Sequence, residues 1–125
     1  MKYWIACAVL IAAPLAARAA SPANAAGIWS TTGEVSGVSV VETCTFTQDA
    51  DAKIAGSCLV DGKAYPTTGT VKEETVTWQH GGNYQGTDFI ITYTGKLGTD
   101  GAITGTMGVD PFNVDGSFTS KKAAK

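Results

Sequence analysis

From Gly27 to Lys122 the chain meets a turn signal about every 8–12 residues, and between turns apolar and polar residues alternate. The turn segments are "SG" (36–37), "DADA" (49–52), "DG" (61–62), "KEE" (72–74), "GGNYQG" (81–86), "GTDG" (98–101) and "GVDP" (108–111). No window carries the i, i+3, i+4 spacing of an amphipathic helix. The pattern predicts eight strands: Ile28–Val35, Val38–Gln48, Lys53–Val60, Lys63–Val71, Thr75–His80, Thr87–Leu97, Ala102–Met107 and Phe112–Lys121. Connections this short make sequence neighbours antiparallel neighbours in space. The expected fold is all-β, an eight-stranded antiparallel up-and-down barrel.

Strand register sharpens this expectation. A turn centred on Asp51 pairs residues whose numbers sum to a constant, so Cys44 faces Cys58 and Phe46 faces Gly56. Directly opposed cross-strand positions suit a disulfide, and closing this loop contributes about 3 kcal/mol in the chain-entropy view. A redox role would want a C-x-x-C at a helix start, which is not the spacing here. By the same arithmetic Val71 faces Val76, Gly69 faces Trp78, Thr67 faces His80, Gly95 faces Gly105 and Tyr93 faces Met107. Alternation sends Trp29, Val35, Phe46, Ile54, Trp78, Ile91, Tyr93, Ile103, Met107 and Phe118 inward, with glycines among them. Glycines on the inner face let a small barrel bend and receive large rings. Leu59 and Ile90 point outward.

The first residues read differently. "MKYWIACAVLIAAPLAARAA" has a basic Lys2, an apolar run from Tyr3 to Ala17, and small residues flanking Arg18. This is the layout of a secretory signal peptide, residues 1–19, and is too short for a membrane span. A second cut is available after Ala25. The organisation expected is signal peptide 1–19, flexible leader 20–26, barrel 27–122 and tail 123–125, with the product periplasmic or secreted. Cys7 leaves with the signal. The mature part then keeps two cysteines, the usual count for one structural disulfide in an exported domain.

The chain has 9 basic and 11 acidic residues; losing Lys2 and Arg18 leaves seven basic, a net charge of −4. That balance offers no basic patch for nucleic acid or anionic membranes. No nucleophile elbow, phosphate-binding loop, dinucleotide fingerprint or metal-ligand spacing is found. No cofactor or metal is expected, and nothing points to catalysis.

Three stretches resemble the calycin-type barrels, the lipocalins, fatty-acid-binding proteins and avidins. They are "GIW" (Gly27–Trp29), the hairpin "TYTGKLGTDGAITGTM" (Thr92–Met107) and the closing "FTSKK" (Phe118–Lys122). The chain is most similar to small bacterial lipocalin-like barrels. The resemblance implies that Trp29 plugs one barrel end with Lys121 or Lys122 stacked on it. A weaker similarity, to periplasmic inhibitors of bacterial metalloproteases, implies a protein partner engaged through the leader.

With Trp29 at one end, the other end is framed by the turns at 36–37, 61–62, 81–86 and 108–111. An apolar cup with a few polar groups there would take a small, mainly apolar ligand. The candidate ligand-binding residues are Glu42, Tyr65, His80, Tyr84, Phe89, Tyr93 and Phe112. The alternative is that these aromatics simply fill a narrow barrel. Tyr84 is expected in a mobile glycine-flanked loop, and His80, the only histidine, at a solvated rim. Glu42 has two readings. Strict alternation buries it, with Thr31, Tyr93 or Lys63 as partner; a bulge at 39–41 would turn it to solvent.

Overall fold

A computed structural model describes residues 23–123; the expected signal peptide, the first leader residues and the last two residues lie outside them. Eight strands follow one another: β1 (Gly27–Val35), β2 (Val38–Gln48), β3 (Lys53–Val60), β4 (Lys63–Lys72), β5 (Thr75–Tyr84), β6 (Thr87–Leu97), β7 (Ile103–Asp110) and β8 (Val114–Lys122). Each pairs antiparallel with the next, and β1 also pairs with β8, which closes the barrel. No helix among the described residues is long and apolar enough to cross a membrane.

The expected pairings hold: Cys44 faces Cys58, Gly69 faces Trp78 and Tyr93 faces Met107. A Cys44–Cys58 disulfide joins β2 to β3 inside the barrel, with both residues fully buried. Disulfides are typical of proteins from oxidising compartments.

Three strand boundaries differ from expectation by two residues or more. Strand β5 runs on through Gly81 and Gly82 to Tyr84, and β7 runs on to Asp110. The glycines at 81–82 keep the ladder with Ile90 and Phe89, so the stretch read as a long loop is a strand end with a tight turn. Strand β8 begins at Val114, which leaves Phe112 in the preceding turn.

The turns at one end explain how such short connections work. Ser36-Gly37, Asp61-Gly62 and Gln85-Gly86 have positive φ at both residues, 49° and 81°, 49° and 80°, and 50° and 83°. This is the type I′ geometry, whose twist matches that of the flanking strands.

The opposite end is sealed by the chain's own leader. The Gln48 side chain accepts the Ala25 N–H (2.8 Å) and donates to the Ala23 carbonyl (3.0 Å). The Ala23 N–H reaches the Glu73 carbonyl, and the Trp29 indole N–H donates to the Ala25 carbonyl at 2.9 Å. Ala25 and Trp29 are buried. The described part of the leader thus lies against the barrel, where flexibility was expected. Lys122, opposite Trp29 on β8, sits 5.7 Å from the Trp29 ring centroid, and Lys121 lies one alternation away.

Between the ends, Phe46, Trp78, Tyr93 and Phe118 pack ring against ring at 4.9–5.3 Å. Opposed glycines make the room. Gly95 and Gly105 face each other across β6 and β7, and a Cβ on Gly105 would lie 2.5 Å from the Gly95 Cα and run into the Thr94 carbonyl. Gly105→Ala is therefore expected to destabilise the barrel by about 1–3 kcal/mol. Urea unfolding followed by near-ultraviolet dichroism should show a lower midpoint with an unchanged slope; an unshifted midpoint would mean that β6 and β7 separate at no cost.

Candidate functional site

The open end of the barrel leads to a cavity with two lobes. The apolar lobe, about 340 Å³, lies between Val35, Val38, Val40, Tyr84, Phe89, Ile91, Val109, Phe112 and Val114. The second lobe, about 480 Å³, shares Val38, Val40, Tyr84, Phe89 and Ile91 and extends to Glu42, Tyr65, His80 and Tyr93, with Asp61, Lys63 and Asn83 also lining it. The expected candidates meet here. Glu42, Tyr65, His80 and Tyr93 form the polar side, while Tyr84, Phe89 and Phe112 form the apolar rim.

Glu42 is the most constrained of them. It projects from β2 into the barrel and is 2 % exposed, so no bulge turns it outward. A buried carboxylate needs a partner, and it finds one across the interior. His80 Nε2 on β5 lies 2.9 Å from Glu42 Oε2, and His80 is itself buried, at 5 % exposure. The expectation of a solvated rim histidine is corrected. Of the expected partners of Glu42, Thr31 instead exchanges a 2.7 Å hydrogen bond with Ser120 and Lys63 lies over Tyr65, while Tyr93 is within hydrogen-bonding reach of the carboxylate.

Strand stagger explains the pairing. Following the ladders from His80 leads to Thr67, Gly56 and then Phe46, four positions from Glu42 along β2. Three strand steps of about 4.8 Å at a tilt of about 40° displace equal heights by about 12 Å, or roughly four residues of strand. The tilt thus brings Glu42, not Phe46, level with His80.

The proton inventory follows from geometry. His80 Nδ1 is 2.6 Å from the Gly81 carbonyl, which can only accept, so Nδ1 carries a proton. Nε2 faces a carboxylate oxygen, and one proton is held between the two groups. Burial pushes the His80 pKa down, but the Glu42 hydrogen bond and charge, with the Gly81 carbonyl, outweigh it and hold the value above the usual 6.5. The imidazole also stacks on Tyr65 (5.7 Å) and on Tyr93 (5.8 Å), and Tyr93 stacks on Trp78 (4.9 Å). Four rings thus run from the half-buried mouth residue Tyr65 into the core. Burial first, then the Glu42 charge and hydrogen-bonding reach, push the Tyr93 pKa strongly upward, so its hydroxyl keeps its proton. That hydroxyl closes no hydrogen bond within the usual distance and angle.

The disulfide lies beneath this pair. Cys44 Sγ is 3.4 Å from Glu42 Oε1, but a disulfide sulfur has no proton to donate. Glu42 and the two cysteines have their ligating atoms within 4.8 Å of one another, a metal-like grouping that the oxidised sulfurs disarm.

At the rim, Tyr84 ends β5 and packs edge-on against Phe112 (6.2 Å), which in turn meets Phe89 (6.2 Å). Lys63 Nζ lies 5.3 Å over Tyr65. Val35, Val109 and Val114, which complete the apolar lobe, did not stand out in the sequence because strand valines look alike wherever they end. A scan against protein-family models finds no match to this chain, and searches of curated proteins and of solved structures find none.

The linkage has a definite sign. The folded protein holds a proton on His80 that the unfolded chain releases above pH 6.5, so stability is complete below that pH and falls as pH rises through the raised folded value. Melting temperatures measured from pH 6 upward should decline across that window, and Glu42→Gln should remove the decline. A rising or flat wild-type profile would refute the assigned proton.

Proposed function

We propose that this protein is an exported, calycin-type binding module, akin to the small bacterial lipocalin-like barrels, that holds a small and mainly apolar ligand in the open end of its barrel. The observation that carries this reading is the apolar lobe of about 340 Å³, continuous at the mouth with a lobe whose polar groups are few and grouped. Small-molecule sites have this make-up, and their volumes start at about 300 Å³. Val40, Tyr84, Phe89, Ile91 and Phe112 supply the apolar contacts; Glu42, Tyr65, His80 and Tyr93 supply the polar ones. Trp29, Lys122 and the folded-back leader close the other end. Residues 1–19 direct export to the periplasm or beyond, which agrees with the disulfide. The inhibitor-like alternative needs a leader that projects from the barrel, and the packing of Ala23 to Ala26 favours the cup instead.

Titration of the oxidised mature protein with the neutral fluorophore N-phenyl-1-naphthylamine tests this. Saturable one-to-one enhancement is expected. Val40→Trp, which fills the mouth from a half-buried position, should weaken it by about tenfold, some 1.4 kcal/mol, with unchanged far-ultraviolet dichroism. Enhancement that is absent, or indifferent to that substitution, would refute the cup. Native mass spectrometry of protein purified from its own host would then show no retained small molecule.

A further inference from the structure

The polar lobe has an unbalanced set of hydrogen-bonding groups. Glu42 Oε2 is taken by His80, yet Oε1 faces only a disulfide sulfur and receives no proton from it. Beside the same carboxylate, the buried Tyr93 hydroxyl has a proton to give and, though within reach of Glu42, closes no hydrogen bond of the usual distance and angle. Buried groups left in this state are costly, and a native barrel keeps them where something else completes them. One acceptor lacks a donor and one donor lacks an acceptor, within reach of the same carboxylate. A hydroxyl group, which donates once and accepts as well, complements both.

Other head groups fit worse. A carboxylate or phosphate would face the Glu42 charge, and both His80 nitrogens are already engaged, with Gly81 and with Glu42. An ammonium group would compete with the His80 proton that already neutralises Glu42. The pair is therefore a neutral floor, and a neutral group belongs on it.

Resting on the binding reading above, we propose that the ligand class is a neutral amphiphile: an apolar body in the valine-lined lobe carrying an alcohol or phenol hydroxyl that bridges Tyr93 Oη and Glu42 Oε1. Glu42 and Tyr93 line the lobe but are sealed from water, so the head group enters by displacing the half-buried Tyr65, which covers His80 from the mouth side. Lys63, stacked outside Tyr65, travels with it. The ring column then serves as a seal that opens only for a ligand whose head group replaces the lost stacking.

Isothermal titration of the oxidised mature protein with decan-1-ol, methyl decyl ether and decanoate separates the possibilities. The alcohol should bind at least about fivefold more tightly than the ether, the equivalent of one neutral hydrogen bond, and decanoate should bind no better than the ether. Tyr93→Phe, which keeps the ring and its stacking, should weaken the alcohol and the ether alike by about fivefold, because either oxygen accepts the Tyr93 proton. Glu42→Gln should reduce the alcohol's advantage, which comes from the alcohol's own proton, provided that it folds; the Tyr93→Phe result stands without it. Equal affinity for alcohol and ether, a preference for decanoate, or an alcohol affinity that Tyr93→Phe leaves unchanged would each overturn the head-group assignment while leaving the apolar cup in place. Failure of all three to bind, together with silence of the naphthylamine probe, would overturn the cup as well.

Discussion

Closure is the constraint from which the rest of this structure follows. Once β1 pairs with β8, the strands must tilt, and the tilt decides which side chains share a height inside the barrel. The Glu42–His80 pair exists because three strand steps carry a displacement of about four residues. Open the sheet and the carboxylate loses its partner, the four-ring column loses its continuity, and the mouth no longer has two lobes. The disulfide fixes the register of β2 against β3 and so reinforces the geometry on which the pair depends.

Much of this was legible in the chain. Alternation and turn spacing were enough for the eight strands, and the arithmetic of each hairpin gave pairings such as Cys44 with Cys58 and Thr67 with His80. These are local relations, set by turn length and a period of two. Across the barrel the relation is not local. Whether Glu42 meets Thr31, Tyr93 or His80 depends on the accumulated stagger of several strands, and no single hairpin carries that number. His80 was therefore placed at a solvated rim when it is buried against the carboxylate. The glycines at 81 and 82 resemble a loop, yet they continue β5, and the Phe89 ring lies over Gly82 where a Cβ would stand. The packing of residues 23–26 depends on anchors, Gln48 and Glu73, that lie far away in sequence.

The buried pair is hard to explain by stability alone. Removing two ionised groups from water costs several kcal/mol each, and well-packed apolar residues in their place are often as stable or more so. A domain of this size has only about 5–15 kcal/mol of net stability. Most of the interior is apolar, with valines, isoleucines, methionine and rings, and Thr31 and Ser120 satisfy each other, although the Trp78 indole N–H closes no hydrogen bond. Glu42 and His80 stand out against that background, and they stand at the floor of the cavity, not at the sealed end.

Their position also limits how the site can respond to what enters it. His80 holds Gly81 through Nδ1 and Glu42 through Nε2, so the ring cannot turn toward a ligand without breaking one buried hydrogen bond. Glu42 is backed by the disulfide and cannot withdraw. Tyr93 is stacked on both His80 and Trp78, which fixes its ring plane and leaves only the hydroxyl proton free to rotate. Tyr65 alone among the ring column is half-buried, on the mouth side. The polar floor is therefore pre-set, and on the proposed reading only Tyr65 has to move, a division that limits the entropy lost on binding to one side chain and whatever the ligand itself gives up.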